Sequence, residues 1–209
     1  MPIDLAELVR PEHTAVVTCE MQRGIIGDEG VFTQLVDEVR DLGIVPLTQR
    51  LVQGARAVGV RVVHATVEFR ADRAGTAINN PMMGAMTKLP GHILQGTDAA
   101  RVVSELGPEP VDLVVPRLHG LSPFTGTALD ATLRNLGVHT IVAVGVSVNE
   151  AVFGMCLEAA NLGYRVALPT DAVAGHPRHY AEDVIRYSLS LMTNLTTVDD
   201  VLGAWGRGS

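Results

Sequence analysis

Side chains able to do acid–base chemistry follow several apolar runs of this 209-residue chain. Glu20 comes directly after TAVVTC, Glu68 follows RVVHATV, and Arg117 and His119 follow VDLVV. A carboxyl group can exchange protons with a substrate or with water, whereas arginine and histidine can bind or polarise a substrate. The runs are short and rich in β-branched residues, so they predict buried strands with polar groups at their ends.

The elements that would position these groups alternate along the chain. The predicted strands cover 14–19, 61–67, 111–115, 140–144, 164–168 and 194–197. Segments with helical spacing of apolar residues lie between them, at 42–58, 99–106, 128–136, 148–162 and 180–192. Apolar strands alternating with helices predict an α/β fold, a single doubly wound three-layer domain over residues 1–209 with a mainly parallel sheet.

Glycines at the ends of three predicted helices support this pattern. Gly59, Gly137 and Gly163 each stand between a helical segment and a strand, where a left-handed helix end is expected. Residues 70–97 show no firm period and predict an excursion over the sheet edge.

The predicted sheet also locates the site. Ligands of open parallel sheets bind beyond the carboxyl ends of the strands. These ends hold Glu20, Gln22, Glu68, Arg117, His119, Ser122 and the turn at 145–149. No Gly-rich phosphate-binding loop follows a strand, so no nucleotide cofactor is expected.

Composition excludes several classes of partner. The net charge is −7 and basic residues are dispersed, so neither nucleic acid nor a membrane is an expected partner. The N-terminal residues do not resemble a signal peptide, and a cytoplasmic protein is expected. The two cysteines, Cys19 and Cys156, are too few for a disulfide framework or a four-ligand zinc site.

Three segments carry a resemblance to a known family. They are TAVVTCEMQ, LHGLSPFTGTALDATLRNLGV and GVSVNEAV. The first resembles a strand ending in Asp-Met-Gln, the second a Lys-x-x-x-Ser-x-Phe-x-Gly-Thr-x-Leu segment, and the third a turn of the form Gly-Val-x-Thr-Asn-x-Cys-Val. In this order they resemble the isochorismatase-like family, often called the cysteine hydrolase family. The resemblance implies a six-stranded, mainly parallel Rossmann-like sheet and a homo-oligomer, either a dimer or a tetramer.

The resemblance also implies a catalytic triad of aspartate, lysine and cysteine, and this chain differs at each position. Glu20 stands at the aspartate position, Leu118 at the lysine position and Ala151 at the position of the nucleophile. The chain has one lysine, Lys88, which lies in the irregular segment. Glu20 is therefore expected to serve as general acid or base, with Arg117 or His119 in place of the lysine.

Neither cysteine is expected to replace the missing nucleophile. Cys156 lies on the same predicted helix as Ala151 but about 140° around it. Cys19 adjoins Glu20 on a strand, where successive side chains point to opposite faces. Catalysis through a thiol intermediate is therefore not expected.

The remaining predicted site residues would contact the substrate. They are Gln22, Glu68, Ser122, Phe124, Val146, Ser147 and Asn149. Relatives have a cis peptide in the turn after the central strand, and we predict that the Val146–Ser147 bond is cis. Amides of this turn would then face the substrate.

Each assignment has a structural alternative. Glu20 would be an exposed carboxylate or a partner of Arg23, and Arg117 would form an ion pair. His119 would bond to loop backbone, and Phe124 would pack in the core.

A possible metal site and the position of Glu150 each have two interpretations. His64, Glu68 and His119 are a conceivable metal trio, but a core histidine is favoured for His64 and no metal is expected. Glu150 in the first helical turn would reach the cavity rim or, as favoured here, remain a solvated carboxylate.

These observations support three hypotheses of function. The leading one is a hydrolase acting on the amide, vinyl ether or related bond of a small molecule without a cysteine nucleophile. The alternative is a catalytically silent family member that binds a metabolite or a protein partner. A metal-dependent hydrolase is third.

Overall fold

Seven parallel strands form one sheet in the computed structural model, which describes residues 4–89 and 91–206. The strands are Thr14–Cys19 (β1), Arg61–Val67 (β2), Leu113–Arg117 (β3), Thr140–Val146 (β4), Arg165–Pro169 (β5), Val173–Ala174 (β6) and Asn194–Thr196 (β7). Their order is β3-β2-β1-β4-β5-β7, and the short β6 pairs with the end of β4. The predicted α/β fold with a parallel sheet is confirmed.

Helices cover both faces of this sheet. Their bounds are Leu5–Leu8 (α1), Arg23–Ile26 (α2), Thr33–Asp41 (α3), Ile44–Ala57 (α4), Pro81–Met86 (α5), Leu129–Asn135 (α6), Phe153–Asn161 (α7), Arg178–Tyr187 (α8) and Val198–Gly206 (α9). Alternate side chains of β4 enter opposite cores: Ile141 packs with α6, α7 and α8, and Val142 packs with α4 and α9. All residues of β1 and β4 are buried, which explains their continuous apolar sequences.

Most elements lie where the sequence places them. The bounds of β1 and β2 are those predicted, and Gly59, Gly137 and Gly163 have φ values of 80°, 71° and 87°. The strand predicted at 111–115 is Leu113–Arg117, so Arg117 belongs to β3 itself. The helix predicted at 148–162 begins with a wider π-type turn, Val148–Val152, before α7.

One predicted helix, at 99–106, is wrong. The chain forms two short 3₁₀ turns there, Asp98–Ala100 and Ser104–Leu106. Between them the backbone pairs with the segment after β1: Val102 bridges Gln22, and Val103 N donates to Met21 O. These bonds replace the i to i−4 bonds that a helix requires.

No helix within residues 4–89 and 91–206 has both the length and the apolar character needed to span a membrane.

A buried polar network lies under the sheet, away from the strand ends that hold Glu20. Arg56 of α4 donates two hydrogen bonds to Asp112, whose side chain is 1% exposed. His64 Nε2 lies 3.5 Å from Asp112 Oδ2, and its Nδ1 lies 2.8 Å from Thr18 Oγ1. Burial acts to raise the pKa of Asp112, but the hydrogen bond from Arg56 contributes to a net lowering. Burial lowers the pKa of His64 despite the attraction of Asp112.

The lowered pKa of His64 predicts acid sensitivity of the fold. Unfolded histidine has a pKa of about 6.5, so the folded state binds fewer protons and its stability is lost as pH falls below that value. We expect the free energy of unfolding in urea to fall between about pH 7.5 and about pH 5.5. The free energy of unfolding of His64→Gln should fall less over this pH range. Some fall should remain in this variant because burial also lowers the pKa of His92. The exposed His179→Gln is the control, and an identical fall in His64→Gln and the wild type would contradict this role.

Candidate active site

Glu20 stands at the carboxyl end of β1 in an unusual backbone conformation. Its φ is 53°, in the left-handed region, and its amide donates to Ala65 O of β2 at 2.9 Å. This bend follows Cys19, whose side chain points into the core. The Glu20 side chain is 14% exposed and faces a cavity instead.

Arg117 reaches the same place from β3. Its guanidinium NH2 forms an ion pair with Glu20, and its Nε donates to Gly120 O at 3.1 Å. The Arg117 side chain is 4% exposed, so the ion pair is largely shielded from water. Arg23, the alternative partner of Glu20, instead binds Asp28 at 2.8 Å.

The cavity has a volume of about 180 Å³ and lies beyond the ends of β1 and β4. Its polar residues are Glu20, Arg117, Gln34, Ser147, Asn149, Glu150 and His176. The apolar residues are Ile25, Phe32, Leu35, Met82, Met86, Leu121 and Ala151. Phe32 and Leu35 belong to the α3 region and the methionines to α5, so two elements absent from the sequence prediction build the apolar wall.

The turn after β4 completes the cavity. The Val146–Ser147 peptide bond is cis, as predicted. Ser147 Oγ donates to Asn149 Oδ1 at 2.7 Å, and both residues line the cavity. Val146 itself is fully buried and is not among the lining residues. Glu150 N donates to Ser147 O at 3.1 Å, so that amide has an internal partner.

Glu150 belongs to the site, contrary to the solvated carboxylate favoured from the sequence. It lies in the π-type turn Val148–Val152 and lines the cavity. Burial raises the pKa of Glu150, and the negative charge of Glu20 raises it further. The cavity therefore contains two carboxyl groups in different environments, one paired with Arg117 and one that resists ionisation.

Neither thiol lines this cavity. Cys19 and Cys156 are both 0% exposed. Burial raises the pKa of Cys156 to about 12 and shifts the pKa of Cys19 well above its ordinary value. The reactive thiolate form is thus disfavoured at both positions. Ala151, which is 3% exposed, presents a methyl group to the cavity.

Two predicted substrate contacts lie elsewhere. The side-chain amide of Gln22 donates to Val67 O and Ala100 O and accepts from Val67 N, each at 2.8 Å. The residue is fully buried, connects backbone segments and does not line the cavity. Glu68 accepts a hydrogen bond from Gln95 and lines a separate groove that contains neither Glu20 nor Arg117.

Three more predicted residues surround the site without entering it. Ser122 donates to Glu158, and Phe124 is 4% exposed and packs on Tyr164 with ring centroids 5.9 Å apart. His119 lies in another groove, where its ring packs beside Gly126. None of the three lines the cavity that contains Glu20 and Arg117.

The conceivable metal trio does not assemble. His64 is buried in the network with Asp112, far from the groove that contains His119. Within the ranges 4–89 and 91–206, no group of three His, Cys, Asp or Glu side chains is arranged to hold a metal ion.

Comparison with known proteins places this chain in a family. Residues 14–200 match the model of the isochorismatase domain. Ureidoacrylate amidohydrolase RutB of Rhizobium rhizogenes is 29% identical over 191 residues, which cover 85% of this chain and 75% of that protein. The uncharacterised isochorismatase family protein YwoC of Bacillus subtilis is 27% identical over 91% of this chain and 93% of its own.

Solved structures agree with these matches. A cysteine hydrolase from Pseudomonas syringae pv. phaseolicola superimposes with a TM-score of 0.82 at 23% identity, covering 97% of this chain and 96% of its own. An isochorismatase family protein from Desulfovibrio vulgaris gives a TM-score of 0.79 at 26% identity, and the match covers 92% of this chain and 99% of that protein. The family match spans β1 to the start of α9, which includes every residue of the cavity. The chain belongs to the isochorismatase family.

Proposed function

We propose that this isochorismatase-family hydrolase cleaves a small molecule by acid–base chemistry, without a cysteine nucleophile. The observation that carries the proposal is the Glu20–Arg117 pair, which lines the same cavity as the methyl group of Ala151. We infer that Glu20, Leu118 and Ala151 occupy the positions of the family's aspartate, lysine and cysteine. Arg117, the residue before Leu118, then supplies the positive charge that the lysine would bring.

An amide is the first substrate class to consider, since several relatives are named ureidoacrylate amidohydrolases. Glu20 accepts a proton from a water molecule as its oxygen attacks the carbonyl carbon. The resulting oxyanion is stabilised by the Arg117 guanidinium. When the C–N bond breaks, a carboxyl group of the cavity returns the proton to the leaving nitrogen, and the products are a carboxylic acid and an amine. A vinyl ether would instead be cleaved after protonation of its carbon by the same carboxyl group.

Glu150 fits the second half of this reaction. Burial and the charge of Glu20 raise the pKa of Glu150, so its carboxyl group holds a proton more readily than an exposed one and can donate it to the leaving nitrogen. Arg117 meanwhile keeps Glu20 in position to act on water. The two carboxyl groups thus divide the roles of base and acid.

The proposal predicts that turnover does not depend on thiols. A panel of amides and vinyl ethers is incubated with the protein, and products are detected by liquid chromatography and mass spectrometry. For any substrate that is cleaved, the Cys19→Ala/Cys156→Ala double variant should keep at least about half of the wild-type kcat, because neither thiol reaches the cavity. Treatment of the native protein with N-ethylmaleimide should leave the rate unchanged.

Melting temperatures provide the control for this experiment. Both cysteines are core residues, so the single variants Cys19→Ala and Cys156→Ala are compared at a temperature where each is folded. A folded single variant whose kcat falls by orders of magnitude would contradict the proposal.

The same pair favours a second candidate, a family member that binds a metabolite without cleaving it. The charge of Glu20 is neutralised by Arg117, and neither Cys19 nor Cys156 lines the cavity. A ligand that raises the melting temperature but yields no product over hours would support this alternative.

A further inference from the structure

The charges around the cavity point to the kind of molecule it accepts. In the described part of the chain, the Asp, Glu, Lys and Arg side chains lining it are Glu20, Glu150 and Arg117. Arg117 has its NH2 on Glu20 and its Nε on Gly120 O. Its positive charge is therefore already balanced by a carboxylate.

Glu150 has no such compensation. Among residues 4–89 and 91–206, no side chain donates a hydrogen bond to its carboxyl group or forms an ion pair with it. Its electrostatic neighbour is Glu20, a like charge. An incoming donor or cation would thus find an acceptor whose hydrogen bonds are unmade.

His176, the remaining titratable group of the cavity wall, already has a carboxylate partner. Its Nδ1 lies 3.6 Å from Glu38 Oε1. Arg178 also binds Glu38, at 2.6 Å. Burial acts to raise the pKa of Glu38, but the hydrogen bond from Arg178 contributes to a net lowering. His176 and Arg178 therefore share one carboxylate, that of Glu38, which does not line the cavity.

The rest of the wall is apolar. Phe32, Leu35, Met82 and Met86 line the cavity, and Met86 is only 7% exposed. These side chains favour a ligand with an apolar body. A carboxylate placed beside them would lose its hydration while facing Glu150 and Glu20.

We propose that the cavity selects an uncharged or positively charged small molecule that donates a hydrogen bond to Glu150, lays an apolar group against Phe32 and the methionines, and excludes carboxylates. This rests on the proposed function only in taking the cavity as the substrate site. Glu150 is then the residue that determines specificity for charge.

The test uses three ligands of nearly one shape that differ in charge: benzoate, benzamide and benzamidine. Dissociation constants are measured by calorimetry at about pH 8, well above the ordinary pKa of a glutamate side chain, about 4.3. Benzamidine and benzamide should bind at least about tenfold more tightly than benzoate. Glu150→Gln should weaken benzamidine at least about fivefold and reduce its advantage over benzoate. The exposed Glu182→Gln removes the same charge outside the cavity and should change neither value.

Several results would overturn the inference. They are binding of benzoate as tight as that of benzamide, no binding of any of the three ligands, and equal behaviour of folded Glu150→Gln and Glu182→Gln. None of them bears on thiol-independent turnover, which is measured separately with the cysteine variants. Conversely, turnover that requires a cysteine would contradict the proposed function while leaving the order of the three affinities as a separate result.

Discussion

Replacing Glu20 with glutamine is expected to lower kcat by about 100- to 10,000-fold on any substrate that the protein cleaves. The glutamine side chain has the same shape and still offers an oxygen to Arg117, but it cannot take up or return a proton. Substrate binding should change much less than the rate, since the apolar wall is untouched. Steady-state kcat and KM, measured side by side with Glu182→Gln, provide the comparison.

A conservative variant separates chemistry from structure. Glu20→Asp keeps the carboxyl group, one methylene shorter, and should recover part of the lost rate. Glu20→Gln leaves the buried Arg117 without a charged partner, so its melting temperature is measured as well. Undiminished kcat in folded Glu20→Gln, or equal rates for Asp and Gln at this position, would exclude Glu20 as the proton-transferring group.

The second large effect is expected at Gly145, where β4 passes β1. Gly145 has a φ of 112°, and a Cβ built there would lie 2.2 Å from Cys19 O and 2.9 Å from Cys19 N. These are backbone atoms of the residue before Glu20, so they cannot move without shifting the site. We expect Gly145→Ala to lower the free energy of unfolding by more than about 4 kcal/mol, or to prevent accumulation of folded protein.

Gly137→Ala is the matched control for this substitution. Gly137 also has a positive φ, 71°, but a Cβ there meets no atom within 4 Å. Its cost should be the conformational cost alone, about 1 to 2 kcal/mol. Urea denaturation of both variants measures the difference, and a Gly145→Ala protein as stable as Gly137→Ala would show that the close approach of the two strands is not required.

The sequence predicts an element correctly where the residues of that element determine its conformation, and less well where contacts with distant residues do. The runs 14–19 and 61–67 are continuous and apolar because both faces of the strands are buried, so their bounds are predicted correctly. The segment 99–106 has helical spacing, but long-range bonds to Met21 and Gln22 determine its conformation. Helix α3 was missed because most of its residues are polar, with Val39 its one buried residue.

The same distinction applies to the site. The positions of Glu20, Arg117, Ser147 and Asn149 near strand ends, and the family resemblance at Ala151, predict them at the site, and the structure brings all five to one cavity. The other predicted contacts are also near strand ends, but their side chains have internal partners that the sequence does not reveal.

Glu150 is the clearest residue that sequence reasoning undervalued. A carboxylate in a first helical turn is commonly solvated, whereas this one, in the π-type turn Val148–Val152, lines the cavity. The sequence does show the cluster of methionines at 82, 83 and 86 that contributes to the apolar wall. It does not show which part of the fold these methionines pack against.

Intact-mass spectrometry of the protein during turnover tests the central claim most directly. The protein is mixed with excess substrate and quenched in acid while product is forming. If a carboxyl group activates water beside Ala151, the chain should have only its unmodified mass at every time point. A mass increase equal to the acyl part of the substrate, mapped by peptide analysis to Cys19 or Cys156, would contradict the account.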